Sequence, residues 1–162
     1  GLERRVGLHR GAELGLHLVQ SDHNHIRHNR VRDNPADGII LQGDHNQIVG
    51  NRVVRNSITI TIFTNDAHAV GNVVRGNTVR RAPRGGISID QVIERTVVKR
   101  NHVFRAGGSG ILVGNPTTTL TRNEARYNHR LGIEAVEGVI DGGGNRASGN
   151  GDPRQCVNVV CS

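Results

Sequence analysis

An eleven-residue pattern of asparagine and β-branched residues recurs along the chain and limits what the chain can fold into. Residues 46–56 read N-x-I-x-x-N-x-V-x-x-N, and residues 24–34 carry the same pattern 22 positions earlier. Its asparagines lie five residues apart, which fits neither the 3.6-residue period of a helix nor the 2.0-residue period of a strand. Short strands separated by a turn at each asparagine account for this spacing.

With the central asparagine as a marker, the pattern continues through six units of 22 to 26 residues. The markers are Asn29, Asn51, Asn77, Asn101, Asn123 and Asn145. An aliphatic residue lies three positions before each of the first five markers, and Gly142 takes that place before the sixth. Repeats of about 20–50 residues indicate a solenoid, and a unit this short excludes helical-hairpin repeats, which need ~33 residues or more.

Leucine-rich repeats and β-helices both have units of this length. The L-x-x-L-x-L-x-x-N spacing of the leucine-rich repeat is missing, and the Ile and Val columns favour strands. We therefore expect an all-β fold, a single-stranded parallel β-helix (solenoid) of about six coils, in which the marker asparagines form an internal hydrogen-bonded ladder. The repeats occupy residues 14–150, residues 1–13 form an N-terminal cap or partial coil, and residues 151–162 supply a C-terminal edge strand.

The asparagine runs alternate with G-I-x-L runs such as residues 38–41, and together they resemble the right-handed parallel β-helix repeats of the pectate-lyase-like superfamily. The resemblance covers roughly residues 14–150 and implies a right-handed coil. The superfamily includes polysaccharide lyases, glycoside hydrolases, uronan epimerases, phage tailspikes and non-catalytic surface proteins, so the resemblance specifies the fold better than the activity. It implies an extracellular domain with a carbohydrate-related role. That role is either a lyase or epimerase acting on acidic polysaccharide, or a non-catalytic polysaccharide-binding, surface or structural module.

The candidate catalytic residues come from two units that are longer than the others, because both insertions enter the same part of the repeat. Insertions in a solenoid form loops on one face, often the binding face. A carboxylate, an imidazole and a guanidinium placed together can hold a uronate carboxylate and abstract the neighbouring proton. The candidates are Asp66, His68, Arg84 and Asp90. Uronan epimerases of the superfamily carry Asp-Pro-His where this chain has Asp-Ala-His, and polar loop residues facing solvent are the alternative interpretation.

The charge of the chain favours an anionic partner. The formal net charge is +7, and 20 of the 21 basic residues are arginine. Arg55, Arg81 and Arg105 share one repeat position, and with Thr61, which alternation directs outward, they are the candidate substrate-binding residues. We expect an anionic polysaccharide as the partner, with arginines that only face solvent as the alternative. Aromatic residues make up 2% of the chain, too few for base stacking on nucleic acid or for aromatic platforms under sugars.

The histidines and cysteines complete the set of candidates. His23 and His45 occupy equivalent positions one coil apart and are the candidate metal ligands, which would admit a divalent cation as a cofactor; turn histidines in solvent are the alternative. Nitrous-oxide-maturation proteins of the same fold class are proposed to handle copper. Cys156 and Cys161 are expected to form a disulfide, which favours a secreted or extracellular setting. No apolar run approaches ~18 residues, so no membrane span is expected.

Overall fold

The structure, a computed structural model, describes residues 15–64 and 69–162, which form short strands joined by turns. The described strands in chain order are β1 (Leu16–Leu18), β2 (His25–Arg27), β3 (Arg30–Arg32), β4 (Ile39–Leu41), β5 (Gln47–Val49), β6 (Arg52–Val54), β7 (Ile58–Ile62), β8 (Ala69–Val70), β9 (Val73–Arg75), β10 (Thr78–Arg80), β11 (Gly85–Ile89), β12 (Ile93–Glu94), β13 (Val97–Lys99), β14 (His102–Phe104), β15 (Ile111–Val113), β16 (Thr119–Thr121), β17 (Glu124–Arg126), β18 (Ile133–Ala135), β19 (Ile140–Asp141), β20 (Arg146–Ser148) and β21 (Cys156–Val157). None of these described residues forms a helix that could cross a bilayer.

Three parallel sheets run along the molecule, and each coil contributes one strand to each of them. Sheet I has the strand order β1-β4-β7-β11-β15-β18-β21, sheet II the order β2-β5-β9-β13-β16-β19, and sheet III the order β3-β6-β10-β14-β17-β20. The chain passes from sheet I to sheet II to sheet III before it begins the next coil. The predicted parallel β-helix of about six coils is therefore confirmed.

Four columns of inward-facing aliphatic side chains fill the interior. In sheets II and III the middle residue of each three-residue strand faces inward, whereas in sheet I the two flanking residues do. Full burial of one such side chain contributes roughly 1.5–3 kcal/mol, so the coils need no aromatic core. Sheet II supplies Ile26, Ile48, Val74, Val98 and Leu120; sheet III supplies Val31, Val53, Val79, Val103, Ala125 and Ala147; sheet I supplies Ile39, Ile60, Ile87, Ile111 and Ile133, and also Leu41, Ile62, Ile89, Val113 and Ala135.

The six marker asparagines lie inside the turn between sheets II and III and form the predicted ladder. The Nδ2 of each of the first five donates to the Oδ1 of the asparagine one coil further along, over 3.0–3.1 Å. The same Oδ1 accepts the main-chain N–H of the asparagine one coil back, at 2.9–3.1 Å. All six residues are at most 4% exposed. Because buried polar groups are costly without partners, this continuous pairing makes a buried amide column tolerable in an apolar core.

Two turns of each coil contain a residue with a left-handed backbone, which directs any side chain there away from the core. The first lies directly before the ladder asparagine, and the second lies five residues later. In the turn between sheets II and III these residues are His28, Gly50, Gly76, Arg100, Arg122 and Gly144, with φ from 52° to 69°. In the turn between sheets III and I they are Asp33, Arg55, Arg81, Arg105, Tyr127 and Gly149, with φ from 55° to 65°. The left-handed conformation costs roughly 1–2 kcal/mol for a non-glycine residue, and it lets the chain turn sharply enough to place the next side chain inside.

Two further amide columns are incomplete. Asn34 and Asn56 pair in the turn between sheets III and I, and Asn128 and Asn150 pair in the same turn at the other end. Ala82 and Ala106 take this position in the intervening coils. The column before sheet II begins with Asn24, Asn46 and Asn72 and continues with Thr96 and Thr118, whose buried hydroxyls have no hydrogen-bond partner.

Both predicted insertions fall in the turn from sheet I to sheet II on adjacent coils, where β8 pairs with β12 in a small parallel sheet.

The last coil differs from the sequence alignment of the repeats. That alignment places Gly142 at the position equivalent to Leu120. Leu120 instead pairs with Asp141, and the preceding Ile140 is 52% exposed. The three glycines at residues 142–144, two of them with positive φ, accommodate this one-residue shift of the strand. The ladder then continues at Asn145.

Residues 151–162 cover the C-terminal end of sheet I. Strand β21 pairs with β18, and the predicted disulfide joins Cys156 to Cys161 with their Cα atoms 6.2 Å apart. Both cysteines pack against the aliphatic core. The Asp141 carboxylate accepts the main-chain N–H of Val160 at 2.8 Å, which ties this segment to the last coil. The predicted N-terminal cap of residues 1–13 lies outside the described residues.

Candidate functional site

A column of arginines follows the turn between sheets III and I, where the left-handed backbone places Arg55, Arg81 and Arg105 on successive coils. Main-chain hydrogen bonds hold this column in register. The N–H of Arg81 donates to the carbonyl of Phe104 at 3.0 Å, and the N–H of Arg105 donates to that of Arg126 at 3.2 Å. Equivalent residues of paired strands are ~4.8 Å apart, so the predicted equivalence of the three arginines is a spatial one.

The arginines of this column differ in how their charge is balanced. In the second coil, the Nε and one terminal nitrogen of Arg55 donate to the two carboxylate oxygens of Asp33, at 2.5 and 2.9 Å. These hydrogen bonds, and then the charge of Asp33, raise the pKa of the Arg55 guanidinium above its ordinary value. Arg81 and Arg105 are exposed, and no carboxylate among the described residues pairs with either of them.

Aromatic side chains stand beside the unpaired arginines. Tyr127 occupies the equivalent turn position one coil after Arg105 and is 60% exposed. The guanidinium carbon of Arg80 lies 5.2 Å from the centre of the Phe104 ring, a cation–π distance. A shallow cavity of about 650 Å³ lies over Arg81, Arg105 and Tyr127. The few aromatic residues of the chain thus include one that is exposed at this turn.

The outer face of sheet III extends the basic surface along the molecule. Alternation in each three-residue strand directs its first and last residues outward. Among these outward residues Glu124 is the one carboxylate in the described chain, and it is held by His102 Nδ1 at 2.7 Å and Arg126 Nε at 2.6 Å. The outward arginines of this face are Arg30, Arg32, Arg52, Arg80, Arg126 and Arg146.

The candidate catalytic residues do not come together among the described residues. Arg84 and Asp90 flank the five-residue strand β11 at its two ends, and an extended chain places them ~20 Å apart. Thr61 lies on the outer face of sheet I next to Ser88, and its buried hydroxyl has no hydrogen-bond partner. Asp66 and His68 lie outside the described residues. A catalytic role for this set stays a prediction.

The candidate metal ligands are adjacent, but their ring nitrogens do not point to a common position. The rings of His23 and His45 stack with their centres 5.1 Å apart and their planes 9° from parallel. Lone pairs of ring nitrogens lie in the ring planes, so stacked rings do not direct them to one point. The neighbouring Asp22 and Asp44 carboxylates accept main-chain N–H groups of the next coil, at 2.7 and 2.8 Å. Within residues 15–64 and 69–162, no group of three or more His, Cys, Asp or Glu is placed to hold a metal ion.

Comparison with known proteins identifies the family. Residues 6–146 match the family described as periplasmic copper-binding protein (NosD). The chain belongs to the NosD family. No curated protein and no solved structure matches it. NosD proteins form a parallel β-helix repeat family with a periplasmic description, so the chain is a β-helix domain of an extracytoplasmic family, and the predicted setting is confirmed in this coarse form.

The sequence identified the arginine column but not its aromatic neighbours. Tyr127 precedes Asn128 as Arg105 precedes Ala106, so the repeat alignment itself contained the signal. Arg80 and Phe104 could have been found as outward residues of paired strands. These three residues were missed because the prediction used the low aromatic content of 2% and did not consider the positions of the few aromatic residues.

Proposed function

We propose that the domain is a non-catalytic binding module for acidic polysaccharide, which lies along the outer face of sheet III and the adjoining arginine turn. The observation that supports this most strongly is the row of exposed arginines on a rigid face whose single described carboxylate is already held by its neighbours. A guanidinium group recognises a carboxylate in a bidentate manner. A polysaccharide partner places the domain in the periplasm or outside the cell.

Electrostatics supports a long anionic partner over a small one. Two unit charges ~5 Å apart in water repel by roughly 0.8 kcal/mol. Arginines are direct neighbours on successive coils at Arg30 and Arg52 on sheet III, and at Arg81 and Arg105 in the adjoining turn. Anions spaced along a polysaccharide chain would relieve the repulsion at these places. Such binding weakens steeply as salt rises, because exposed charges are screened within ~10 Å at 0.1 M ionic strength.

A binding role is favoured over lyase or epimerase chemistry by the separation of Arg84 from Asp90. Proton abstraction needs a base within ~2.6–3.2 Å of the proton it removes, or one water away. A guanidinium and a carboxylate at opposite ends of a strand cannot act on one sugar carbon. The basic face of sheet III, by contrast, needs no residue beyond those described.

Copper is the ligand that the family description names, and the described residues do not fit it. Copper(I) prefers the soft sulfur of Cys and Met, and copper(II) prefers imidazole nitrogens around a common point. The chain has no Met, its two cysteines are joined in a disulfide, and the rings of His23 and His45 are stacked. We therefore assign no copper site to these residues.

The proposal is tested by isothermal titration of the domain with polygalacturonate at low and high salt. Two matched triple variants remove the same charge from different faces. Arg52, Arg80 and Arg146 are changed to Gln on sheet III, and Arg27, Arg75 and Lys99 are changed to Gln on sheet II. We expect salt-dependent binding that only the sheet III variant loses.

Three results would contradict the proposal. Equal losses of polygalacturonate affinity in the two triple variants would show that binding depends only on the net charge of the domain. Stronger binding of duplex DNA than of polygalacturonate would name a different partner. Ultraviolet absorbance from unsaturated product would show that the domain is a lyase.

A further inference from the structure

The turn between sheets III and I places two arginines and a tyrosine next to one another. Arg81, Arg105 and Tyr127 follow one another on three successive coils at one repeat position. The main-chain N–H groups of Arg81 and Arg105 donate to the carbonyls of Phe104 and Arg126 on the next coil, at 3.0 and 3.2 Å. The two guanidinium groups and the phenol ring therefore start from points ~4.8 Å apart along the axis, a spacing at which a single small ligand can contact all three.

Small residues keep a depression open between these side chains. Pro83, Gly107 and Gly151 line the cavity of about 650 Å³. A Cβ atom added to Gly107 would run into the carbonyl of Pro83, and one added to Gly151 would run into the carbonyl of His129. The volume falls within the ~300–1,000 Å³ of small-molecule sites, although this cavity is shallow and open on one side.

The Tyr127 ring rests on the backbone of the next coil. A Cβ atom added to Gly149 would lie 2.8 Å from both Cδ1 and Cε1 of the ring. The Cδ1–Cε1 side of the ring thus lies against Gly149, whose φ of 65° also favours glycine, while the side chain remains 60% exposed. An exposed ring held in this way offers apolar surface on which a sugar can pack, with the phenol oxygen left to hydrogen-bond.

The same column contains an internal example of carboxylate recognition. Asp33 occupies the equivalent position in the first coil, and its carboxylate binds Arg55 of the second coil through two hydrogen bonds. Arg81 and Arg105 present the same group from the same backbone conformation, but without a carboxylate from the described chain. A carboxylate of a bound ligand can take the place that Asp33 has beside Arg55.

We propose that Arg81, Arg105 and Tyr127 form a subsite for one uronate residue, with its carboxylate on the guanidinium groups and its ring on the phenol. This rests on the proposed polysaccharide-binding function and names the sugar that the turn selects.

The subsite is tested with trigalacturonate, the neutral trisaccharide maltotriose, and sodium acetate as a simple carboxylate. We expect Arg81→Gln and Arg105→Gln each to weaken trigalacturonate binding about tenfold, since a charge-assisted hydrogen bond contributes at least that much. Tyr127→Ala should weaken trigalacturonate binding several-fold and leave acetate binding unchanged. The control Arg75→Gln removes the same charge from the outer face of sheet II and should change trigalacturonate binding less than twofold. Circular dichroism confirms that each variant is folded.

The outcomes separate the subsite from the wider proposal. If Tyr127→Ala and Arg105→Gln behave like Arg75→Gln while polygalacturonate still binds in a salt-dependent manner, the subsite is refuted and the basic face stands. If trigalacturonate binds no better than acetate, the ring contact is refuted. If polygalacturonate does not bind at low salt, the proposed function fails and the subsite fails with it.

Discussion

Replacing Asn77 by alanine removes the central member of the amide ladder and tests whether the ladder stabilises the fold. The Asn77 side chain takes part in four hydrogen bonds. Its Nδ2 donates to the carbonyl of Ile48 at 2.8 Å and to Asn101 Oδ1 at 3.0 Å. Its Oδ1 accepts the main-chain N–H of Asn51 at 2.9 Å and Asn51 Nδ2 at 3.0 Å. The residue is fully buried, so water cannot replace these partners.

The expected loss follows from these contacts. A buried hydrogen bond contributes about 1 kcal/mol net, and four of them give about 4 kcal/mol. The main-chain N–H of Asn51 also loses its partner inside the core. Small domains are stable by only ~5–15 kcal/mol, so Asn77→Ala should remove a large fraction of the free energy of unfolding. The matched control is Asn158→Ala, since Asn158 is exposed and its side chain donates a hydrogen bond to the carbonyl of Ala135 at 2.8 Å.

Urea unfolding followed by far-ultraviolet circular dichroism measures both variants, because the chain has no tryptophan to report by fluorescence. We expect the urea midpoint to fall steeply for Asn77→Ala. For Asn158→Ala the free energy of unfolding should fall by less than about 1 kcal/mol. A solenoid can lose cooperativity when one coil is weakened, so the m-value is compared as well. A loss below about 1 kcal/mol in Asn77→Ala with an unchanged m-value would refute the reasoning.

Three further predictions concern the C-terminal segment and the surface. Reducing the disulfide between Cys156 and Cys161 should cost at most about 2 kcal/mol in urea unfolding, because the closed loop is short; a complete loss of folding would contradict this. The pKa of Asp141 is lowered from its ordinary value of 3.8, first by the Val160 N–H and also by Gly143 and Asn145. Its stabilising effect is therefore present above pH 3.8 and lost as the pH falls through the lowered pKa. Asp141→Asn should be less stable than the parent at pH 7, and the difference should shrink as the pH is lowered below 3.8; a difference independent of pH would exclude the charge. Arg55→Ala should leave the unfolding midpoint unchanged, since its ion pair with Asp33 is exposed to solvent, and a marked drop would show that the pair holds the turn.

The architecture was predictable because the repeat carries both of its determinants. The asparagine at each marker and the aliphatic residue three positions before it identify the turn and the strand of sheet II independently, and both columns are buried as expected. Alternation then placed Thr61 on the outer face of its strand, where it pairs between Ile40 and Ser88. The last coil was harder, since nothing in the alignment distinguishes Gly142 from a core residue until strand pairing is known.

The site was less predictable because function depends on which coils are neighbours and on which end of a strand a residue occupies. Arg84 and Asp90 are close in sequence and enter the same unit, yet an extended strand between them places them far apart. Tyr127 and Arg105 are 22 residues apart in sequence and adjacent in space. The left-handed backbone that exposes both side chains is set by the turn, and arginine and tyrosine have no local preference that would reveal it.

The position of the bound polysaccharide is the most direct test of this account. The domain is labelled with phenylglyoxal, which modifies accessible arginine side chains, with and without saturating polygalacturonate, and each arginine is quantified by mass spectrometry. We expect polygalacturonate to protect Arg80, Arg81 and Arg105, and to leave Arg75 on sheet II and Arg95 in the turn before it labelled as in the free domain. Equal labelling of all five arginines at saturation, or protection confined to Arg75 and Arg95, would contradict the claim that the partner lies along sheet III.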